Sequence, residues 1–211
     1  MKRVLYFIAI VLIASCKKED VSTNPSLGFL ESWLNNNPRI YITKTIDSNI
    51  HFERGVATYR GYTFKPLYDV KITAIGGKIA ETGTFKIVIS DIEDFYFLNP
   101  IYVDSVVVSN IQKFQYKTVK QEIVLSANKL YIIAYLNKSH SSVYDALYMD
   151  YVPNAINNIV LPLLINDISI NMTYYSYGLI DNGVYRVLSG GGVMGHAEMR
   201  GLVDFKYELK K

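Results

Sequence analysis

The segment Val203-Asp204-Phe205-Lys206-Tyr207-Glu208-Leu209 carries an apolar residue at every second position and a charge at each position between. Successive side chains of a strand point to opposite faces, so this pattern predicts a β-strand with one face on a core and one in water. The same period of two recurs at 40–46, 56–62, 68–75, 83–90, 101–108, 113–118 and 121–126. Ile168, Ile170, Met172 and Tyr174 alternate with Ser169, Asn171, Thr173 and Tyr175, while Leu130 to Leu136 is almost continuously apolar, as a strand covered on both faces requires. Turn residues separate these runs at Gly76-Gly77, Ser126-Ala127-Asn128 and Asp181-Asn182-Gly183. Asn182-Gly183 is the strongest hairpin signal, because a type I′ turn needs positive φ at both central positions.

Many short strands without helices between them predict a mainly β, antiparallel fold. A β-sandwich is expected, as one large unit or as two immunoglobulin-like modules joined near Asn110; a closed lipocalin-like β-barrel is the alternative. One short helix precedes the strands, at 27–37. Asn24-Pro25 has the chemistry of a helix start, Leu27, Leu30 and Leu34 share a face beside Phe29 and Trp33, and Asn35-Asn36-Asn37-Pro38 ends it. Trp33 reads as the packing anchor of that helix. Residues 141–151 fit a short helix or a strand, 153–166 read as a long connection, and the β domain runs over 39–211.

The beginning of the chain has a different grammar. Lys2 and Arg3 precede an unbroken apolar run from Val4 to Ile13, followed by Ala14, Ser15 and Cys16, which is the layout of an export signal. That run is too short for a hydrocarbon core that needs about 20 helical residues. Cys16 is the only cysteine of the chain. The order Ile13-Ala14-Ser15-Cys16 resembles the lipobox of bacterial lipoproteins, and Lys17-Lys18-Glu19-Asp20 is similar to the surface-export signal of Bacteroidota lipoproteins. The resemblance implies cleavage before Cys16, lipidation of its thiol with palmitate-type chains and a lipid anchor in the outer membrane, surface-exposed or facing the periplasm. The acyl chains of that family exceed the two-signal threshold for stable anchoring. Residues 1–15 are then the signal peptide and 16–26 the lipidated cysteine with a polar tether.

Removal of residues 1–15 takes away Lys2 and Arg3 and no acid, so the formal charge falls from +3 to +1. A near-neutral chain without a basic run has no electrostatic footprint for nucleic acid. No thiol remains for a disulfide, so the domain is expected to be stable through its core alone.

Few constellations point to chemistry. Gly190 to Gly195 reads GGGVMG and fits the G-x-G-x-x-G spacing, but its strand-like flanks and the absence of a following helix argue against a dinucleotide site. His51 and Glu53, and His196 and Glu198, are pairs two residues apart that would share a strand face; brought together they would be weak zinc candidates. Ser90-Asp91-Ile92-Glu93-Asp94 gathers oxygen ligands without the glycine and spacing of a calcium loop. Asp91, Glu93, Asp145 and Asp150 are the carboxylates available to a glycoside hydrolase. There is no Gly-x-Ser-x-Gly elbow, and no cofactor motif is found.

The chain has 18 tyrosines, nine phenylalanines and one tryptophan. If Tyr174 faces the core with Met172, then Tyr175 and Tyr177 share the other face with Asn171 and Thr173. Such a strip of rings, amide and hydroxyl suits a sugar or a protein surface. The expected function is a membrane-anchored, exported, non-catalytic binding or assembly module at the cell envelope, with a glycan or an envelope protein as partner. A polysaccharide-degrading hydrolase and a structural component of a surface assembly are the alternatives; the oligomeric state is left open.

Overall fold

The computed structural model describes residues 27–38, 40–46, 56–94, 97–137, 143–149, 161–181, 184–187, 192–194 and 202–210 of the 211-residue chain. Along these run α1 (Phe29–Asn36), β1 (Ile40–Ile46), β2 (Val56–Pro66), β3 (Val70–Lys78), β4 (Gly83–Asp91), β5 (Tyr102–Val108) and β6 (Gln115–Leu125). They are followed by β7 (Tyr131–Asn137), β8 (Val143–Met149), β9 (Leu163–Ile165), β10 (Ile168–Asp181), β11 (Val184–Val187), β12 (Gly192–Met194) and β13 (Leu202–Leu209). A large antiparallel sheet has the order β11-β10-β2-β7-β4-β5, with β9 and β12 also paired to β10. A smaller sheet, β13-β3-β6, covers it, and β1 and β8 form a separate two-stranded ribbon. Among the described residues the large sheet ends at β11 and β5 without those edges meeting, so the fold is an open β-sandwich and not a closed barrel.

Strands from both sides of Asn110 interleave in both sheets. β2 lies between β7 and β10, and β3 lies between β6 and β13. The sandwich is therefore one unit, and the division near Asn110 is not adopted. Three local expectations also change. The runs at 113–118 and 121–126 are one strand, β6, with a register shift opposite Ile72 and Ala74. Gly76-Gly77 lies inside β3 and makes no turn. Of the two readings of 141–151 the strand holds, over Val143–Met149, whereas part of the expected long connection is β9. Ser126-Ala127-Asn128 does turn the chain, with Asn128 at φ 60°, and the register Asp181↔Val184 leaves Asn182 and Gly183 as the two connecting residues.

The alternation decides where each residue goes. Tyr131, Ile133 and Tyr135 of β7 face the main core with Phe64, Ile87, Ile89, Ile72, Ile75 and Phe205. Ile132, Ala134 and Leu136 face a second cluster on the other side with Tyr59, Val88 and Tyr174. The β7 strand is thus covered on both faces, as its sequence requires. Each fully buried Ile, Leu or Phe contributes about 1.5–3 kcal/mol. Helix α1 closes one end of the main core: Phe29 lies 4.7 Å from Phe205 and 6.3 Å from Tyr62 between ring centroids, and Trp33 packs on the same cluster.

Candidate functional site

Helix α1 begins without a cap of its own. Gly28 occupies the N-cap position and has no side chain to offer, although its carbonyl accepts the first helical bond from Ser32. The orphan amides of the first turn are met from the far end of the chain. Asp204 on β13 accepts from the Leu30 amide at 3.1 Å and the Glu31 amide at 3.0 Å. It also accepts from the Phe205 amide at 2.8 Å and the Tyr116 hydroxyl at 2.7 Å. A carboxylate at a helix N-terminus also meets the positive end of the dipole. Asp204 and Tyr116 sit on strands that flank β3, each in register with Gly76, so no side chain stands between them. A Cβ at Gly28 would collide with the Asp204 carboxylate and the Tyr116 hydroxyl, which makes glycine a requirement there.

Asp204 is fully buried, which corrects the expectation that every charged residue of 203–209 faces water. Burial pushes its carboxyl up to about 7, against the lowering effect of its four hydrogen bonds. Burial and the charge of Asp204 together push the Tyr116 hydroxyl well above the usual tyrosine range, with Glu31 adding to the effect. The Lys206 ammonium lies 4.6 Å from the centre of the Tyr116 ring. These groups form a structural clamp: the bonds from the Leu30 and Glu31 amides hold the helix against the small sheet, and those from Phe205 and Tyr116 fix the carboxylate that receives them.

The clamp shapes a groove of about 450 Å³ between α1, β1, the end of β3 and the turn before β6. Its lining is Glu31, Leu34 and Asn35 from α1, Ile40 and Ile42 from β1, Lys78 from β3, and Gln112, Lys113 and Phe114 from the turn. The link from α1 to β1 is short and tied: the Asn37 side chain donates to the Trp33 carbonyl at 2.7 Å, and the Ile40 amide donates to the Asn37 carbonyl at 2.9 Å. The turn is tied by Gln115, whose Oε1 accepts from the amides of Ser109 and Asn110 while its Nε2 donates to the Asn110 carbonyl at 2.7 Å. Phe114 stacks on Tyr116 at 6.3 Å with the rings 12° from parallel. The ion pairs among the described residues are Lys117–Asp104 and Lys129–Asp91, so Lys78 and Lys113 belong to neither. The groove therefore joins an apolar floor to two ammonium groups, two amides and one carboxylate on fixed elements.

Among the residues expected to bind from sequence, Thr173 has another placement. The register of β10 shifts between Ile170 and Met172, which reverses the alternation expected there. Thr173 consequently lies opposite Tyr62 and is buried, so it is not on a water-facing strip. Asn171, at the shift, accepts from the Ser169 hydroxyl at 2.9 Å. Tyr175 and Tyr177 are in register with Arg60 and Thr58, both of which are buried.

Two of the three acids at 90–94 are engaged in holding the local structure. Asp94 accepts from the Ser90 hydroxyl and from the amides of Leu98 and Asn99, at 2.7, 2.8 and 3.0 Å. Asp91 pairs with Lys129 and accepts from the Glu93 amide. That loop sets Phe97, at φ 55°, between Tyr59 and Tyr174. Among the described residues no group of three or more His, Cys, Asp or Glu is arranged to hold a metal ion. Asp145 is on β8 in register with Lys44. Gly192 to Met194 of the glycine-rich segment form β12 against β10. Cys16, His51, Glu53, Asp150, His196 and Glu198, with the signal and tether segments, lie outside the described residues. No helix among the described residues is long and apolar enough to cross a membrane.

Sequence reasoning missed the clamp and the groove. Asp204 had one available signal, a lone acid between two valine- and phenylalanine-type core residues, but Lys206 and Glu208 show the same pattern. The chain matches no protein-family model, no curated protein and no solved structure.

Proposed function

We propose that the protein is a lipid-anchored, exported binding module of the cell envelope, and that the groove between α1, β1 and the 111–114 turn is where it engages a glycan or protein partner. The observation that carries this reading is the contrast between the groove and the other polar clusters. Asp91, Asp94, Asp104 and Asp204 are each engaged in ion pairs or hydrogen bonds that hold loops, strands or the helix together. The amides of Asn35 and Gln112 and the ammonium groups of Lys78 and Lys113 instead line an open groove whose walls are braced from behind. The volume of the groove falls within the range of small-ligand sites. The anchor rests on the resemblance of Ile13 to Cys16 to a lipobox.

The test is a thermal-shift panel of oligosaccharides, peptidoglycan fragments and peptides. A ligand at 100 times its dissociation constant stabilises the fold by about 2.7 kcal/mol. For a domain of this size that is a rise of several degrees in Tm. The expected hit loses its effect in Asn35→Ala/Gln112→Ala; a ligand whose effect survives that change binds elsewhere.

A part in surface assembly is the second reading, and one observation favours it. The edge strand β5 and the residues before it expose Leu98, Ile101, Val103 and Val107. Apolar side chains on a strand edge are a route to pairing with a second copy.

A further inference from the structure

Charge and lining narrow the ligand class, on the premise that the groove is the binding site. Its three charged residues are unequal. Glu31 is turned toward the clamp, where its carboxylate acts on the Tyr116 hydroxyl. Lys78 and Lys113 are the remaining charges, and neither is in an ion pair among the described residues. The lining therefore carries two ammonium groups against one carboxylate, a formal charge of +1. Asn35 and Gln112 each offer a donor and an acceptor, the pair of roles a sugar hydroxyl needs. Phe114, held flat by Tyr116, gives an apolar ring for the face of a pyranose. We infer that the groove takes a carboxylate-bearing saccharide of the uronic-acid type, with Lys78 and Lys113 on the carboxylates, Asn35 and Gln112 on hydroxyls and Phe114 against a ring. A peptide strand would need a continuous free backbone edge with alternating pockets. This lining comes instead from side chains of four separate elements, which favours the saccharide.

The full chain, solubilised in detergent, is titrated calorimetrically with the α-1,4-linked trimer of galacturonic acid, with the neutral galactose trimer and with an oligoglutamate peptide. The acidic trimer is expected to bind at least about tenfold more tightly than the neutral one, a difference of about 1.4 kcal/mol. That preference should shrink in high salt and disappear in Lys78→Gln/Lys113→Gln. Lys113 is exposed and Lys78 half-buried, and an unchanged Tm confirms that the variant folds. Equal affinity for the two trimers overturns the charge assignment and leaves the binding function standing. Binding of oligoglutamate alone overturns the saccharide. No binding by any of the three overturns the acidic-saccharide assignment, and the thermal-shift panel then decides separately whether the groove binds at all.

Discussion

Asp204 decides more than any other residue described. It caps a helix that begins 175 positions earlier in the chain, at Phe29, and it does so from the middle of a buried strand face. Its carboxyl is raised to about 7 in the fold from an ordinary value near 3.8. The folded state therefore binds the proton more tightly than the unfolded chain. The stability this contributes is fully present below about pH 4 and is lost as pH rises toward 7. Tm is thus expected to fall between pH 4 and pH 7 in the wild type and to change much less in Asp204→Asn. The size is on the order of 4 kcal/mol by the pKa difference. Parallel slopes for the two proteins would remove Asp204 as the cause. Asp204→Ala leaves two helix amides and the Tyr116 hydroxyl without their acceptor. A lost cap costs about 1 kcal/mol and an unmet buried group about 1–3 kcal/mol, so Tm should drop by roughly 10 °C. Gly28→Ala drives a methyl into the same carboxylate and should be as harmful, though it removes no polar group.

At the scale of elements, β5 shows how an edge is managed. The Ser105 amide donates to Asp104 Oδ1 at 2.7 Å, and Lys117 reaches from β6 to the Ser105 carbonyl at 3.2 Å and to Asp104 at 2.5 Å. The outward backbone groups at the centre of the strand are thereby occupied, between the exposed Val103 and Val107. Lys117→Ala frees that carbonyl and should raise self-association with concentration, as read by light scattering; a monomer at all concentrations would show that the valines need no guard. The hydrogen bond from Lys117 also holds the Asp104 carboxyl below its usual range, so this guard is present above about pH 4 and lost on acidification. Strands such as β4 and β7 were legible in the sequence because burial of one or both faces imposes a strict pattern on them. The register of β10 was not, because the shift beside Asn171 inserts a residue that alternation alone cannot reveal, and Thr173 and Tyr174 after it change face. The clamp was hidden for a related reason. A period of two tells which face Asp204 is on, and only the tertiary fold tells that α1 lies there.

For the whole molecule, the two halves of the reading meet at α1. The expected tether ends where the helix begins, and the helix forms one wall of the groove. Cys16→Ser is expected to move the protein from the membrane to the soluble fraction and to abolish palmitate incorporation, with the Tm of the domain unchanged. Retention of the variant in the membrane would mean that the anchor is not Cys16. The fold class was legible from patterning, but the groove was not, since its lining is drawn from four elements that no sequence spacing connects.

The most direct test of the central claim is the amide spectrum of the isotope-labelled chain titrated with the galacturonic acid trimer. The shifted amides are expected at 31–35, 40–42, 78 and 112–114. Shifts concentrated instead along 171–177 of β10, or scattered without a centre, would contradict it.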